Sequence, residues 1–228
     1  MAQSDKFKRV KPDITPYLFH FTKGENAMET LDNILQEERL CSCSHDYICF
    51  TASPLTSLFD FFNTKVNRTG LPMYQPFEIG FPKNIMYERF GARNVIYGTN
   101  RELAVIKSKC PEIAWRCEEL DIDRHDFEYL REWRVEGKEF KFDQFDKNEL
   151  IVIADTKSHL QKLVEGLDCD IDFEDFEPGE YSPTIICKKT GLRAFKGICL
   201  KEAKELNNDY KVFEITFSQT IDERLEEL

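Results

Sequence analysis

The chain has 228 residues, 41% of them hydrophobic and 32% charged, which suits one well-buried domain with a solvated surface. Its formal net charge of −11 disfavours long-range attraction to a nucleic-acid backbone, because the average field repels phosphates. A local basic pocket stays compatible with that field, since a single Arg acts over a Debye length of about 10 Å.

Residues 1–16 are polar, carry Pro12 and Pro16, and read as a lead-in to a single domain over 17–228. No apolar run follows the polar N-terminus and no stretch reaches the length of a membrane span, so a cytoplasmic protein is predicted. Tyr17-Leu18-Phe19-His20-Phe21-Thr22 alternates bulky apolar and polar side chains, the pattern of a strand with one face in a core. Lys23 to Asn26 breaks it, with Asn26 the expected N-cap. Met28, Leu31, Ile34 and Leu35 then recur at helical spacing, with Glu29, Asp32, Glu37 and Glu38 outward.

Asp46 to Thr51 is the second predicted strand, closed by Ser53-Pro54, and Leu55, Leu58, Phe59 and Phe62 predict a short helix. Further strands are expected over 77–81, 93–97, 131–135, 139–142 and 150–154. The stretch 113–129 reads as helix, as does 158–164. Beyond that, 184–187 and 212–217 read as strands and 201–205 as a short helix. Residues 156–228 either complete the sheet or carry a partner-binding surface. The acidic run 165–180 reads as a solvated loop. Together these elements predict an α+β domain.

Eight cysteines are present, yet none forms a Cys-x-x-Cys pair. Cys41, Cys43 and His45 alone could touch a metal, and without the usual knuckle the expectation is no metal and reduced thiols. A Gly-x-Ser-x-Gly elbow is absent, and so is any Gly-rich phosphate loop. Phosphates would therefore need side chains such as Arg134 or Arg93.

Two groups of segments carry the functional expectation. Leu18-Phe19-His20-Phe21-Thr22, the helix from Met28 to Leu35, and Phe50-Thr51-Ala52-Ser53-Pro54 come first; Val95-Ile96-Tyr97 and Leu130-Arg131-Glu132-Trp133-Arg134 follow. In order and spacing, over roughly 17 to 155, this resembles bacterial ADP-ribosyltransferase-like proteins of the DarT and AbiGi abortive-infection group. The resemblance implies a split, strongly bent β-sheet that grips NAD in an open cleft. Carried over by position, Glu132 would be catalytic, with His20, Thr22, Thr51 and Ser53 binding NAD as co-substrate; Arg134, on its own chemistry, would bind the pyrophosphate. Here Arg131 precedes Glu132, where that family has a small or amide residue.

The implied activity is transfer of ADP-ribose to a macromolecule, protein or nucleic acid, in anti-phage defence or a toxin–antitoxin pair. A cognate toxin or antitoxin would be its protein partner. The alternative is a non-catalytic module of the same fold, an antitoxin or a sensor of a nucleotide or phage component. At residue level His20 could equally be a satisfied structural histidine and Glu132 a cross-strand ion-pair residue. Thr51 and Ser53 could merely cap the following helix.

Overall fold

Alternation in Tyr17–Phe21 makes strand β1, which sends Leu18 to one face and Phe19 and Phe21 to the other, all three buried. The computed structural model describes residues 15–58, 62, 74–120 and 128–165, together with the strands Leu167–Ile171, Ile185–Lys189 and Lys196–Cys199. The helices are α1 (Ala27–Glu37), α2 (Leu55–Leu58), α3 (Lys83–Glu88), α4 (Asn100–Lys109) and α5 (Lys157–Glu165). The remaining strands that matter here are β2 (Arg39–Cys41), β3 (Tyr47–Thr51), β4 (Glu78–Pro82), β5 (Arg93–Asn94), β6 (Ile96–Gly98) and β7 (Cys117–Glu119). They continue with β8 (Glu132–Glu136), β9 (Glu139–Lys141) and β10 (Ile151–Ala154); β11, β12 and β13 are the three late strands named above.

Seven strands form one sheet in the order β13-β10-β4-β1-β3-β8-β5, antiparallel throughout except for the β10–β13 pair. The fold is thus mixed α+β, with an open and mostly antiparallel sheet. From the C-terminal part, β13 adds a strand to the sheet edge and α5 contributes Leu160 and Leu163 to the core.

The two faces of the sheet bury two separate clusters. Leu18, Ile48, Phe50, Ile79, Phe81 and Val152 point toward α1 and α5 and pack with Leu31, Leu35 and Leu160. Phe19, Phe21, Ile151 and Ile153 point the other way and pack with Leu55, Leu58, Phe62, Tyr74 and Leu130. The period of two along each strand produces this division. Gly80 belongs to it: a Cβ there would come within 2.7 Å of the Phe19 ring, so only glycine lets that ring lie flat on β4.

Several expectations need correction. The stretch 113–129 is not one helix: a 3-10 turn at Pro111–Arg116 runs into β7, a second covers Glu128–Leu130, and 121–127 lie outside the described residues. Cys117–Glu119 pairs in parallel with Ile96–Gly98, and that ladder takes its backbone hydrogen bonds out of any continuing helix. The strand expected over 93–97 is split at Val95, whose N–H turns to the Glu132 carbonyl at 2.9 Å. Asn26 makes no side-chain cap; its backbone carbonyl accepts from the N–H and hydroxyl of Thr30 at 2.8 and 2.9 Å. The segments expected at 201–205 and 212–217 lie outside the described residues, as does Phe59.

Candidate functional site

The sheet opens at the seam between β1 and β3. On its outer side β1 pairs with β4 over five residues, and β3 pairs with β8 over five, yet β1 meets β3 at a single pair, Phe19–Thr51. His20 reaches across the gap: its Nδ1 lies 2.8 Å from the Cys49 carbonyl oxygen. A carbonyl can only accept, so Nδ1 carries the proton and Nε2 is left as an acceptor. Burial lowers the His20 pKa to about 4; the nearby Lys23 charge pushes the same way and the bond to Cys49 opposes it.

Two cavities meet at this gap. The smaller, about 280 Å³, lies on the Phe19–Phe21 face and reaches Thr51, Leu130, Glu118, Glu132 and Arg134. The larger, about 550 Å³, runs between β3, α1 and β2, past Thr30, Asn33, Glu37, Arg39 and Ser42. His20, Phe21, Lys23, His45, Tyr47 and Cys49 line both. The two lobes thus share these six residues at the open seam.

Register brings the ionisable groups of the smaller lobe together. Thr51 faces Glu132 and Cys49 faces Arg134 across the β3–β8 ladder, so alternate residues of both strands share the cleft face. Arg134 is almost fully buried. Its Nε donates to Glu132 at 2.7 Å, one terminal nitrogen to Glu118 at 2.6 Å and the other to the Trp115 carbonyl at 2.9 Å. Its guanidinium also lies 4.0 Å from the Tyr47 ring centre, and His45 stacks on Tyr47 at 4.9 Å. Burial alone would lower the Arg134 pKa, but attraction to Glu132 and the bonds to Glu118 and Glu132 outweigh it and raise it. Arg134 is a fixed cation shared by two carboxylates.

Cys49 is open to the cleft, but the cleft walls strip water from its sulfur. Burial first, then the charge of and hydrogen bond to Glu132, push the thiol up to about 12, so it is a protonated donor and not a nucleophile. Burial likewise pushes Tyr47 up to about 12, against the pull of Arg134.

A short strained turn aims Glu132. Arg131 has φ +46°, a left-handed conformation unusual for a side chain with a Cβ. The surrounding bonds over-determine it. The Thr51 hydroxyl donates to the Leu130 carbonyl and the Ser53 hydroxyl to the Tyr129 carbonyl, while the Ala52 N–H donates to the Arg131 carbonyl at 3.2 Å.

The expected site residues therefore divide. His20, Thr51, Glu132 and Arg134 line the smaller lobe together. The hydroxyls of Thr51 and Ser53 are buried and donate to backbone carbonyls of the 129–130 turn, which fixes the turn that precedes Glu132. Thr22 lines only the larger lobe, buried, with its hydroxyl donating to the Phe77 carbonyl at 3.0 Å. Three of the five Arg134 N–H groups are taken by Glu132, Glu118 and the Trp115 carbonyl. Arg93 donates to the Tyr87 and Ala92 carbonyls and lines neither lobe.

The sequence reading missed Lys23, Tyr47, Cys49 and Glu118. Tyr47 and Cys49 follow from Thr51 by the period of two on β3. Glu118 gave no signal, because its stretch read as helix. Cys41, Cys43 and His45 line the larger lobe, and among the described residues no group of three or more His, Cys, Asp or Glu is placed to hold a metal. None of the described helices is long and apolar enough to cross a membrane. No family model, curated protein or solved structure matches this chain.

Proposed function

We propose that the cleft binds NAD and that the chain is an NAD-dependent ADP-ribosyltransferase-like effector acting on a macromolecular acceptor in bacterial defence or a toxin–antitoxin pair. The observation that carries this reading is the opened seam, where His20 reaches across to the Cys49 carbonyl and where His20 and Glu132 both line the smaller lobe. Such a split sheet is what the resemblance to the DarT and AbiGi group implies.

The charge pattern supports the same ligand. Glu118 and Glu132 share one guanidinium, which leaves that end of the smaller lobe one carboxylate in excess, while Lys23, which lines both lobes, balances the lobe as a whole. NAD presents a cationic nicotinamide ring joined to an anionic pyrophosphate, and the ring suits the carboxylate-rich end of that lobe. Breaking the bond between the ribose C1′ and the nicotinamide nitrogen sends the bonding pair to the ring, which leaves neutral. The sugar becomes oxocarbenium-like and positive until the acceptor nucleophile bonds to C1′ and gives up its proton. A carboxylate fixed in a low-dielectric cleft stabilises that charge. His20, neutral at its lowered pKa, offers Nε2 as an acceptor for a ribose hydroxyl.

A second reading, binding without turnover, is favoured by one observation. Glu132 is held by Arg134 at 2.7 Å, and an ion-paired carboxylate is a weaker electrostatic partner for a cationic sugar. Incubation of the full-length protein with NAD labelled in the ADP-ribose part, with lysate as acceptor, separates the two. The enzyme reading expects nicotinamide release and a labelled macromolecule, both abolished in Glu132→Gln. Saturable NAD binding with no nicotinamide released selects the binding module. Absence of binding at millimolar NAD defeats both.

A further inference from the structure

We infer that Lys23 is the residue that holds the phosphate groups of a nucleotide in this cleft; the inference rests on the NAD reading above. The two lobes join at His20, Phe21, Lys23, His45, Tyr47 and Cys49, so the middle of any two-part ligand that fills both must pass this junction. In a dinucleotide the middle is the pyrophosphate. With a net charge of −11 on the chain, anionic phosphates need a local cation there.

The other arginines of the cleft are already committed. Arg134 is shared between Glu132 and Glu118, and Arg39 between Glu37 at 2.8 Å and Glu139 at 3.1 Å. His20 is held neutral. Lys23, among the described residues, is the Lys or Arg lining the cleft that enters no ion pair: its exposed ammonium rests over the Tyr74 ring at 5.0 Å, a weak contact that a phosphate can displace. Its charge already reaches the junction, since it acts on both His20 and Cys49.

The backbone is built to keep it there. The Thr22 N–H and hydroxyl both donate to the Phe77 carbonyl at 3.0 Å, and the Thr22 carbonyl accepts from the Gln75 N–H at 3.3 Å. Gly24 then turns the chain away with φ +82°, which a residue with a Cβ adopts only under strain. Thr22, expected to touch the ligand itself, instead anchors the neighbour that does.

Calorimetric titration of the full-length protein with ADP-ribose and with nicotinamide riboside tests this, on wild type, Lys23→Met and Lys23→Arg. Lys23→Met keeps the stem against Tyr74 and removes the charge; it is expected to weaken ADP-ribose binding roughly ten- to a hundredfold, the scale of one charged hydrogen bond. Nicotinamide riboside, which has no phosphate, should bind all three proteins alike. Lys23→Arg should restore most of the ADP-ribose affinity, and the wild-type affinity should fall more steeply with salt than that of Lys23→Met. Equal ADP-ribose affinity in wild type and Lys23→Met overturns the assignment of Lys23 and leaves the NAD reading standing. Equal loss of both ligands in Lys23→Met also overturns it, as a structural effect. A wild-type protein that binds neither ligand overturns the inference together with the reading beneath it.

Discussion

Glu78 and Glu132 each open a strand, and the ladder puts them on the same face of one sheet, Glu78 opposite Phe21 and Glu132 opposite Thr51. Their surroundings make them different chemical groups. Glu78 sits in the closed half, where β10, β4 and β1 are continuously laddered; it is fully buried and, among the described residues, neither of its oxygens has a hydrogen-bond partner. Burial alone pushes its pKa well above the ordinary carboxylate value, so it is a neutral acid in an apolar wall. Glu132 sits at the edge of the parted seam, opposite the Thr51 that β1 still pairs with, with Arg134 beside it and a cavity in front. One missing stretch of ladder separates a carboxylic acid stored in a core from a carboxylate offered to a ligand.

The comparison breaks first at Glu132. Replacing it with Gln preserves the shape and a contact with Arg134 but removes the charge that opposes the cationic sugar. Nicotinamide release should fall by two to three orders of magnitude, about 3–4 kcal/mol of barrier, measured under single-turnover conditions. Release within threefold of wild type would remove Glu132 from the chemistry.

Glu78 should respond in the opposite sense. Glu78→Met replaces an unsatisfied acid by an apolar side chain of similar length, and is expected to stabilise the fold by about 2 kcal/mol at pH 8 in urea unfolding. The sign follows from linkage. The folded pKa is raised, so the unfolded chain releases its proton first and wild-type stability declines as pH rises above 4.5. The gain in Glu78→Met should therefore shrink toward pH 4.5. A loss of stability at pH 8 would mean that Glu78 has a favourable role in the wall.

Sequence periodicity exposed one side of this contrast and hid the other. Alternation in 17–22 and 46–51 placed β1 and β3, and the run 150–154 placed β10, because apolar side chains at a period of two must share a buried face. The same alternation puts Glu78 and Glu132 in equivalent positions, so nothing local says which is buried. That depends on β1 meeting β3 at one residue and β4 at five, a non-local fact. Arg134 was legible as a charge near Glu132, but its commitment to Glu118 was not, because 117–119 pairs as a strand with β6 rather than continuing a helix. Lys23 looked like part of a strand-ending turn, and only the meeting of two lobes gives it a role.

A smaller effect is expected where the two regions are joined by the turn before β8. Thr51→Val keeps the buried volume but leaves the Leu130 carbonyl without its donor. Stability should fall by about 1.5 kcal/mol. If that turn aims Glu132, kcat should drop roughly tenfold with KM for NAD little changed. A purely structural threonine would lower stability and leave kcat as it was.

The smallest effect is a pH dependence that runs against that of Glu78. His20 has a folded pKa of about 4, below the ordinary value of 6.5, because burial penalises its charged form. Below pH 6.5 the unfolded chain takes up a proton that the folded chain refuses, so stability falls as pH drops from 6.5 toward 4 and this contribution is constant outside that window. His20 is half-buried, which holds the loss to on the order of 1 kcal/mol by pH 5. His20→Asn can still donate to the Cys49 carbonyl and has no proton to gain. The wild-type minus variant difference in urea midpoint should therefore slope downward only between pH 6.5 and 4, while the carboxylates common to both proteins cancel. A flat difference would mean that the imidazole is charged as readily in the cleft as in water. Such a cleft would be too wet for His20 to serve as a neutral acceptor beside Glu132.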